Sequence, residues 1–594
     1  MQKESNLLIS YDLETTRIES GTPSVLYLTA YGDMRNSKDT YKLSIPITGK
    51  NSNKKKLFCQ ILEQHLLIKE NNGARFIAWN GNKFDVYFIA ESLLESDRWR
   101  LQPYLTASKS LRGLRVTEIR TDKMLSRYKL MQFEFLDGMA MTGISCKLEK
   151  FLKTFASEYQ KLKSPNFEDG EQFNYKNKDH VVYAERDSEG LYHAMKKVSE
   201  IIYTLTKQEL KPTVGNLAIR HLMKNIPDGV KIKRPMDRIL DILYGPLKKG
   251  GYCWASKQYH GPVWKYDLNQ AYAGAMRDAS LPCGDIVHTC CYENDNPGIY
   301  LASISRKHKT KVPFYYKDEK NIGKFTTGSA VTCWLTSIEI QHLRQDEWNI
   351  EIIKGYWWTG SFNLKRLVDK LEKLRATDKD GPSGPLGTMV KALGNNAYGK
   401  TLEQIWGDEF IFSKKKPKGY TLYDSFDSSM KYIYARERES IPKKYHVPQI
   451  GVFITAHVRC IVREAANYMP ENFLYADTDC VVFDKKAHHL HLDPTRYGSW
   501  KVESAGDEHI IIGKKVNWKE NGGATAKGLI VKNLTKQDML DWLAGKLPVQ
   551  VQTQRQNILK FLGGRDMFKS LVRKGTDVSK LKNVKVLHGE FIPR

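Results

Sequence analysis

The chain has 594 residues, with 93 Lys and Arg against 67 Asp and Glu, for a formal net charge of +26. That length supports several domains with their own cores. The excess of positive charge points to a polyanionic partner, either nucleic acid or an acidic membrane surface, although a basic soluble enzyme would share it. The 31 Tyr and 12 Trp favour nucleic acid, because bases stack on rings while phosphates pair with Lys and Arg. The nine cysteines form no CxxC pair, which excludes a zinc ribbon and a disulfide framework and suits a reducing, cytoplasmic setting. No secretory signal is expected, since the first apolar run, Leu7-Leu8-Ile9, is short and meets Asp12. Nor is there an apolar run of about 18 residues that would span a membrane.

In chain order, Leu7 to Leu13 reads as a buried strand, with Ser24 to Gly32 able to pair with it. Arg75 to Trp79 is a further short strand, followed by a loop and a helix through Phe88 to Leu94. Ser145 to Phe155 and His180 to Ile202 carry helical spacing, which fits a mixed α/β domain ending near residue 205. A second unit begins near Thr213. It contains the permissive basic loop Lys248-Lys249-Gly250-Gly251-Tyr252 and a strand from Val263 to Asp267. Residues 285–360 look β-rich and irregular. Phe362 to Arg375 is a basic amphipathic helix, Asp378 to Gly387 a Gly/Pro loop, and Thr388 to Lys400 a second helix. Residues 401–450 form a basic, aromatic, turn-rich insert, and Val452 to Tyr468 a helix. The basic bias continues to the C-terminus.

Acidic residues stand out against this background. In Tyr475-Ala476-Asp477-Thr478-Asp479-Cys480, period-two alternation places two carboxylates on one face between apolar runs. Desolvated together they would repel unless a cation neutralised them. Taken alone, the segment is slightly better read as an Asp-Thr-Asp turn. Asp267 ends its strand, where it suits a metal ligand or a helix N-cap equally well. On a helix, Lys391, Asn395 and Tyr398 share one face, offering a cation, an amide and a ring to a nucleoside triphosphate. The competing reading is a solvated lysine ahead of a C-terminal glycine cap. Further acids lie in Asp12-Leu13-Glu14-Thr15, in Asn80-Gly81-Asn82-Lys83-Phe84-Asp85, and in Tyr183-Ala184-Glu185-Arg186-Asp187, where Tyr183 and Asp187 share a helix face.

The segments at 267–273, 391–400 and 475–480 resemble motifs A, B and C of family B DNA polymerases, in order. The three N-terminal segments resemble the Exo motifs of DEDD 3′–5′ exonucleases in their tyrosine-bearing variant. The fold class implied is α/β multidomain (α+β): an RNase H-like exonuclease domain followed by a right-hand polymerase with palm, fingers, thumb and two insertions. The divisions would be 1–205 exonuclease, 206–284 first palm part, 285–360 first insertion, 361–400 fingers, 401–450 second insertion, 451–525 second palm part and 526–594 thumb. Two insertions at these places resemble the protein-primed replicases of small linear viral and plasmid genomes, where they dock a terminal protein and encircle DNA.

The resemblance implies two Mg²⁺ per active site, with Mn²⁺ as a substitute, held by Asp267, Asp477 and Asp479 in one site and by Asp12, Glu14, Asp85 and Asp187 in the other. Tyr183 would orient the attacking water, assisted by Lys161 or Lys163. Tyr272 would be the steric gate against a ribose 2′-hydroxyl, and Arg375, Lys391, Asn395 and Tyr398 would complete the nucleotide site. Thr15, Asn80, Phe84 and Phe88 would hold a frayed primer end. Gly250, Gly251, Thr455, Arg459 and Lys515 would contact DNA, with Trp518 standing in for a missing ring. Partners implied are template-primer DNA, dNTPs, a terminal protein and a single-stranded-DNA-binding protein, acting on a monomer in the host cytoplasm. Alternatives are a nucleic-acid-primed polymerase, or an exonuclease attached to a non-synthesising DNA clamp. The chain departs from the family pattern at Gln270, Ala271, Ala273, Asn396 and Cys480, at Lys248 where a Tyr is usual, and at Gly138-Met139 after Asp137.

Overall fold

A computed structural model describes residues 7–16, 23–35, 37, 39–49, 53–106, 110–119, 130–163, 173–293, 295–403, 408–423, 432–437, 446–526, 534–546, 550–553, 558–562, 570–573, 584–587 and 590–593. Parts of the second insertion and of the region after 526 therefore lie outside the described residues.

The N-terminal region contains β1 (Leu8–Thr15), β2 (Val25–Asp33), β3 (Thr40–Pro46), α1 (Lys54–Ile61), β4 (Arg75–Ala78), α2 (Asp85–Leu93), β5 (Trp99–Leu105), β6 (Leu111–Glu118), β7 (Gln132–Asp137), α3 (Gly138–Thr142), α4 (Leu148–Phe155) and α5 (Lys178–Thr206). The strands form a mixed sheet ordered β5-β6-β7-β4-β1-β2-β3. Only the inner pairs β1–β4 and β4–β7 are parallel. Parallel pairing brings the C-terminal ends of β1, β4 and β7 to one edge, the usual place for a site in an α/β sheet. Ser10 and Thr29 fix α5 over this sheet. Ser10 Oγ donates to the Ser188 carbonyl at 2.6 Å, and the Thr29 and Ser188 hydroxyls meet at 2.6 Å.

Next come α6 (Val214–Lys224), α7 (Asp237–Tyr244), β8 (Tyr252–Ala255), β9 (Tyr259–Leu268) and α8 (Ala271–Asp278). The segment expected to be β-rich holds β10 (Leu281–Thr289), β11 (Gly298–Ser305), β12 (Phe314–Lys317), β13 (Gly323–Thr326), β14 (Val331–Thr336) and β15 (Asn349–Phe362). It also holds an unforeseen helix, α9 (Ser337–Gln345), started by a capping box between Thr336 and Glu339. Tyr300, Ile304, Leu335, Ile340 and Trp348 belong to a core cluster of this segment's own.

Two helices follow, α10 (Lys365–Ala376) and α11 (Pro385–Thr401). Phe362 ends β15 instead of opening α10, and Pro385 opens α11 three residues before the expected start, where its fixed φ suits a first helical turn. Then come β16 (Asp408–Phe412), β17 (Thr421–Leu422) and β18 (Ile433–Glu437), the enclosed α12 (Pro448–Tyr468), β19 (Phe473–Thr478), β20 (Cys480–Phe483), β21 (Trp500–Gly513), β22 (Val516–Lys519), β23 (Gly523–Ala526) and α13 (Lys536–Leu543). A seven-stranded antiparallel sheet, ordered β23-β22-β21-β9-β20-β19-β8, is the platform of the C-terminal half.

One connection was not visible in the sequence. Strand β16 adds to β5, so β16, β17 and β18 extend the N-terminal sheet to ten strands among the described residues. Phe410, Phe412, Ile433 and Ala435 complete the N-terminal core, as do Ile558 and Leu559 from near the C-terminus. Each fully buried side chain of this kind contributes about 1.5–3 kcal/mol. Gln102 donates to Glu409 at 2.6 Å, and Lys414 to the Glu95 carbonyl at 2.8 Å, at the same seam.

Candidate active sites

The first cluster sits at the sheet edge where β1, β4 and β7 end. Asp12 and Glu14 are two residues apart on β1 and share a face. Asp85 opens α2, and Asp187 lies on α5 above them; both are buried. The loop from Asn80 to Asp85 is held by Asp137, whose carboxylate accepts from the backbone N–H groups of Met139 (2.8 Å), Asn80 (3.2 Å) and Asn82 (3.3 Å). Asn80 adopts φ +64°, a left-handed conformation that asparagine tolerates well.

Burial and mutual repulsion raise these acids. Desolvation, then Asp187, pushes Asp12 up to about 6. Desolvation, then Asp12 and Asp187, pushes Glu14 up to about 8. Asp85 rises well above the carboxylate range for the same reasons, with Asp12 its chief repelling neighbour. Among the described residues one cation is paired with them. Lys161 forms an ion pair with Asp187 and lies 4.7 Å from the centre of the Tyr183 ring. Of the two lysines left open by the sequence, Lys161 is the one in the site. Phe88 is 2% exposed and belongs to the core, so it is not available to a primer end; Phe84, which meets it edge-on at 5.0 Å, is half-buried.

The second cluster lies on the antiparallel sheet. Asp267 ends β9 directly opposite Cys480 of β20, and the Leu268 N–H donates to the Asp479 carbonyl at 2.8 Å. Asp477 ends β19. Thr478 turns the chain between the two aspartates at φ +68°. A β-branched residue rarely adopts that conformation, at a cost of about 1–3 kcal/mol. The turn and the acid pair are therefore both present, as the two readings of the segment required. Desolvation, then Asp267 and Asp477, raises Asp479 to about 6. Burial would raise Asp477 too, but Lys515 lowers it, with help from Thr478 and Tyr475. Lys515 forms an ion pair with Asp477, Tyr475 Oη donates to it at 3.1 Å and Thr478 Oγ1 at 3.0 Å. Lys501, opposite Asp267 on β21, pairs with it at 3.1 Å.

Beside this cluster, α11 buries Ala392, Leu393, Gly394 and Ala397 and leaves Lys391 and Asn395 exposed. Tyr398 stacks on Tyr272 of α8, with ring centres 3.8 Å apart and planes 12° apart. Arg375 is turned toward the Pro382 carbonyl (3.4 Å) and the Tyr497 ring (5.9 Å). The two loop glycines differ. A Cβ on Gly250 would meet nothing, whereas one on Gly251 would lie 2.8 Å from Thr478 Cα. Thr455 and Arg459, expected to touch template or primer, are instead buried. Thr455 donates within its own helix to Val452 at 3.0 Å, and Arg459 pairs with Glu339 at 3.0 Å. The reason is that α12 is enclosed on nearly every side.

Among the described residues, no three His, Cys, Asp or Glu side chains stand together as a ready metal cage. Unscreened carboxylates repel, and Lys161, Lys501 and Lys515 supply positive charge beside Asp187, Asp267 and Asp477. The donor sets nevertheless fit a hard divalent ion, because they are all carboxylate. Asp187 Oδ1 is buried with no hydrogen-bond donor among the described residues, which is an oxygen a cation would satisfy. Lys501, Lys265 and Tyr475 were not anticipated as neighbours of the aspartates. Strand alternation around 267 could have suggested Lys265, but no local signal marks Lys501.

Residues 166–447 match the family described as DNA polymerase type B, organellar and viral. The DNA polymerase of Bacillus phage B103 is 26% identical over 309 residues, covering 46% of this chain and 48% of that protein. The DNA-directed DNA polymerase of Enterobacteria phage PRD1 is 21% identical over 327 residues, covering 52% and 54%. The chain thus spans about half the length of the curated relatives it matches. In three dimensions the likeness is more extensive. A Phi29 DNA polymerase complexed with primer-template DNA and incoming nucleotides superposes with a TM-score of 0.69 at 14% identity, covering 96% of this chain and 99% of that one. The chain shares the fold of that solved polymerase. Phi29 DNA polymerase with single-stranded DNA gives the same picture, at a TM-score of 0.67 over 92% of this chain.

Proposed function

We propose that this protein is a DNA-dependent DNA polymerase with a 3′–5′ proofreading exonuclease, replicating a linear viral or plasmid genome from a terminal-protein primer. The observation that carries the reading is the placement of Asp479, in the turn that leads into β20, next to Asp267 on the adjacent strand β9, beside the stacked Tyr272–Tyr398 pair and the open Lys391–Asn395 face. Asp267, Asp477 and Asp479 would hold divalent ions for synthesis, and Asp12, Glu14, Asp85 and Asp187 for excision. Such ions, Mg²⁺ or Mn²⁺, activate the attacking oxygen and neutralise phosphate charge in phosphoryl transfer.

The side chains supply the rest. Lys391 pairs with the triphosphate. The Tyr272 ring, braced by Tyr398, closes the space a 2′-hydroxyl would need. Asn395 lies under the nascent pair. In the excision site the Lys161 ammonium beside the Tyr183 ring holds the phenol oxygen where it orients the attacking water. Lys515 leaves Asp477 for the primer strand when DNA binds. We infer that the regions expected from sequence to be exonuclease, palm, fingers, thumb and two insertions carry those roles. The protein works as a monomer inside the host cell, with template-primer, dNTPs, a terminal protein and a single-stranded-DNA-binding protein as partners. Among the described residues, no helix is long and apolar enough to cross a membrane.

The decisive experiment is primer extension with Mg²⁺ and dNTPs. Wild type extends and Asp479→Ala does not; equal extension by both would refute the site. Transfer of a labelled nucleotide onto a small basic protein hydroxyl tests the priming mode, and extension from DNA primers alone would favour nucleic-acid priming.

A further inference from the structure

The stretch 285–360 was expected to be an insertion that docks a terminal protein, and the strands that hold it, β10 to β15, run from residue 281 to 362. Among the described residues of this stretch the most deeply buried charge, Glu339, is joined to Lys249 and Arg459, next to the acid-bearing sheet. Glu339 on α9, Lys249 ahead of β8 and Arg459 on α12 have side chains only 1%, 0% and 4% exposed. Glu339 Oε1 accepts from Lys249 Nζ and from Arg459 Nη2, both at 3.0 Å. Its Oε2 accepts from the Thr336 N–H at 3.0 Å and the Thr336 hydroxyl at 3.2 Å, locking it to the start of α9. Burial would raise Glu339, but Lys249 and Arg459 hold it down at about 2, so it is a carboxylate at every working pH.

The network continues toward the aspartates. Arg459 Nη1 donates to the Gly250 carbonyl at 3.2 Å and the Lys249 carbonyl at 3.4 Å. The next residue, Gly251, packs so closely that a Cβ there would lie 2.8 Å from Thr478 Cα. Thr478 is the left-handed residue between Asp477 and Asp479, and β8 pairs with β19 through Tyr252–Thr478 and Cys253–Asp477. A second tie runs one turn along α12. Arg463 donates to Asp346 at 2.6 Å and to the Val312 carbonyl at 3.0 Å, and meets His342 at 2.8 Å. Buried ion groups are an uneconomical source of stability, since apolar residues fill such a volume as well. What they provide is direction, because each donor fixes one acceptor at one distance.

We propose that Glu339 is a positioning residue for synthesis: through Arg459 and Lys249 it sets the Gly250–Gly251 loop against the Thr478 turn, and so the placement of Asp477 and Asp479 relative to Asp267. The inference rests on the polymerase reading, and it gives the segment 281–362 a role within the chain as well as any role toward a partner.

The test uses full-length Arg459→Lys and Glu339→Gln proteins. Arg459→Lys keeps the charge on Glu339 and loses the donor to the Gly250 carbonyl. Glu339→Gln leaves two buried cations facing no carboxylate. Steady-state extension is measured with primer-template affinity, dNTP KM and excision on single-stranded DNA. Expected for Arg459→Lys is a fall in kcat of about 10- to 100-fold, as for small misplacements of reacting groups. KM, DNA affinity and excision stay within about twofold, the margin expected when only a transition-state interaction is lost. Glu339→Gln falls at least as far. Arg459→Lys extending like wild type, or losing DNA affinity at unchanged kcat, would overturn the proposal. If Glu339→Gln loses excision as well, it has unfolded, and Arg459→Lys alone decides. Failure of the wild type itself to extend would refute the polymerase reading instead.

Discussion

Among the described residues a single lysine, Lys161, is paired with the four carboxylates of the N-terminal cluster; in the C-terminal cluster Asp267 and Asp477 each have a lysine of their own, Lys501 and Lys515. The contrast follows from where the acids sit. Asp85 and Asp187 are enclosed between sheet and helices, where each further charge costs desolvation. Asp267 and Asp477 lie on a sheet face at 23% and 28% side-chain exposure, within reach of long side chains from β21 and its turn. Asp12, Glu14 and Asp85 are therefore pushed up, whereas Asp477 is held down. The first site depends more heavily on an added cation to be charged at all.

The largest expected effects separate the two sites completely. Asp479→Ala abolishes extension, by about a thousandfold or more, equivalent to about 4 kcal/mol of lost transition-state stabilisation. Excision on single-stranded DNA is unchanged in that variant. The double substitution Asp12→Ala/Asp85→Ala does the reverse. Paired extension and excision assays check both, and loss of both activities in either variant would break the comparison by showing one shared site.

Next in size are the lysines. Lys161→Met removes the only cation among the described residues shown paired with the first cluster, so excision falls by about 10- to 100-fold. Lys501→Met removes a 38% exposed lysine from a site with other cations nearby, and extension falls by no more than about threefold, the effect of a solvent-screened pair. Equal effects would mean that exposure does not govern the difference.

The acids of the first cluster were legible because Asp12 and Glu14 alternate on one strand, Asp85 starts a helix and Asp187 lies one turn from Tyr183, and the motif order supplies the rest. The lysines were not. Lys501 meets Asp267 only because β21 pairs with β9 in one register across more than two hundred residues, which no local pattern encodes. Arg459 was misplaced for a related reason. Its motif gave the residue type, but which face of α12 meets solvent is decided by elements distant in sequence, α9 and β8 among them. The attachment of β16 to β5 rests on one backbone pairing and a few buried rings, and was equally invisible.

The pH dependence of stability gives a third separation. Glu14 and Asp12 have folded values, about 8 and about 6, above their ordinary ones of 4.5 and 3.8. In that direction the native state holds the extra protons. The stability contribution is complete below pH ~4, and is lost as pH rises through about 6 and then about 8. Without divalent metal, melting attributable to the N-terminal region is expected to be less stable at pH 8.5 than at pH 5.5 by about 2–4 kcal/mol. Asp12→Asn/Glu14→Gln should flatten that slope. In the second cluster the raised acid is Asp479, at about 6, so its loss is complete by about pH 7. Calorimetry in EDTA across this range checks the sign, and a rise in stability with pH would contradict the burial argument.

The finest contrast concerns two adjacent glycines that the sequence treated alike. Gly251→Ala places a methyl 2.8 Å from the backbone of Thr478, where β8 and β19 are already paired and the left-handed turn cannot yield without moving an aspartate. Overpacking of this kind costs about 1–3 kcal/mol, and here the relief it forces runs through Asp477 and Asp479. Gly250→Ala meets open space at a residue without positive φ, so its effect stays within about 0.5 kcal/mol, as for ordinary surface changes. The pair isolates backbone approach from charge, because neither substitution alters a lysine or an acid. Extension lost in Gly251→Ala and kept in Gly250→Ala, with excision intact in both, would show that the second site depends on loop packing where the first depends on its cation. Equal loss in both would instead point to a direct contact of the loop with DNA.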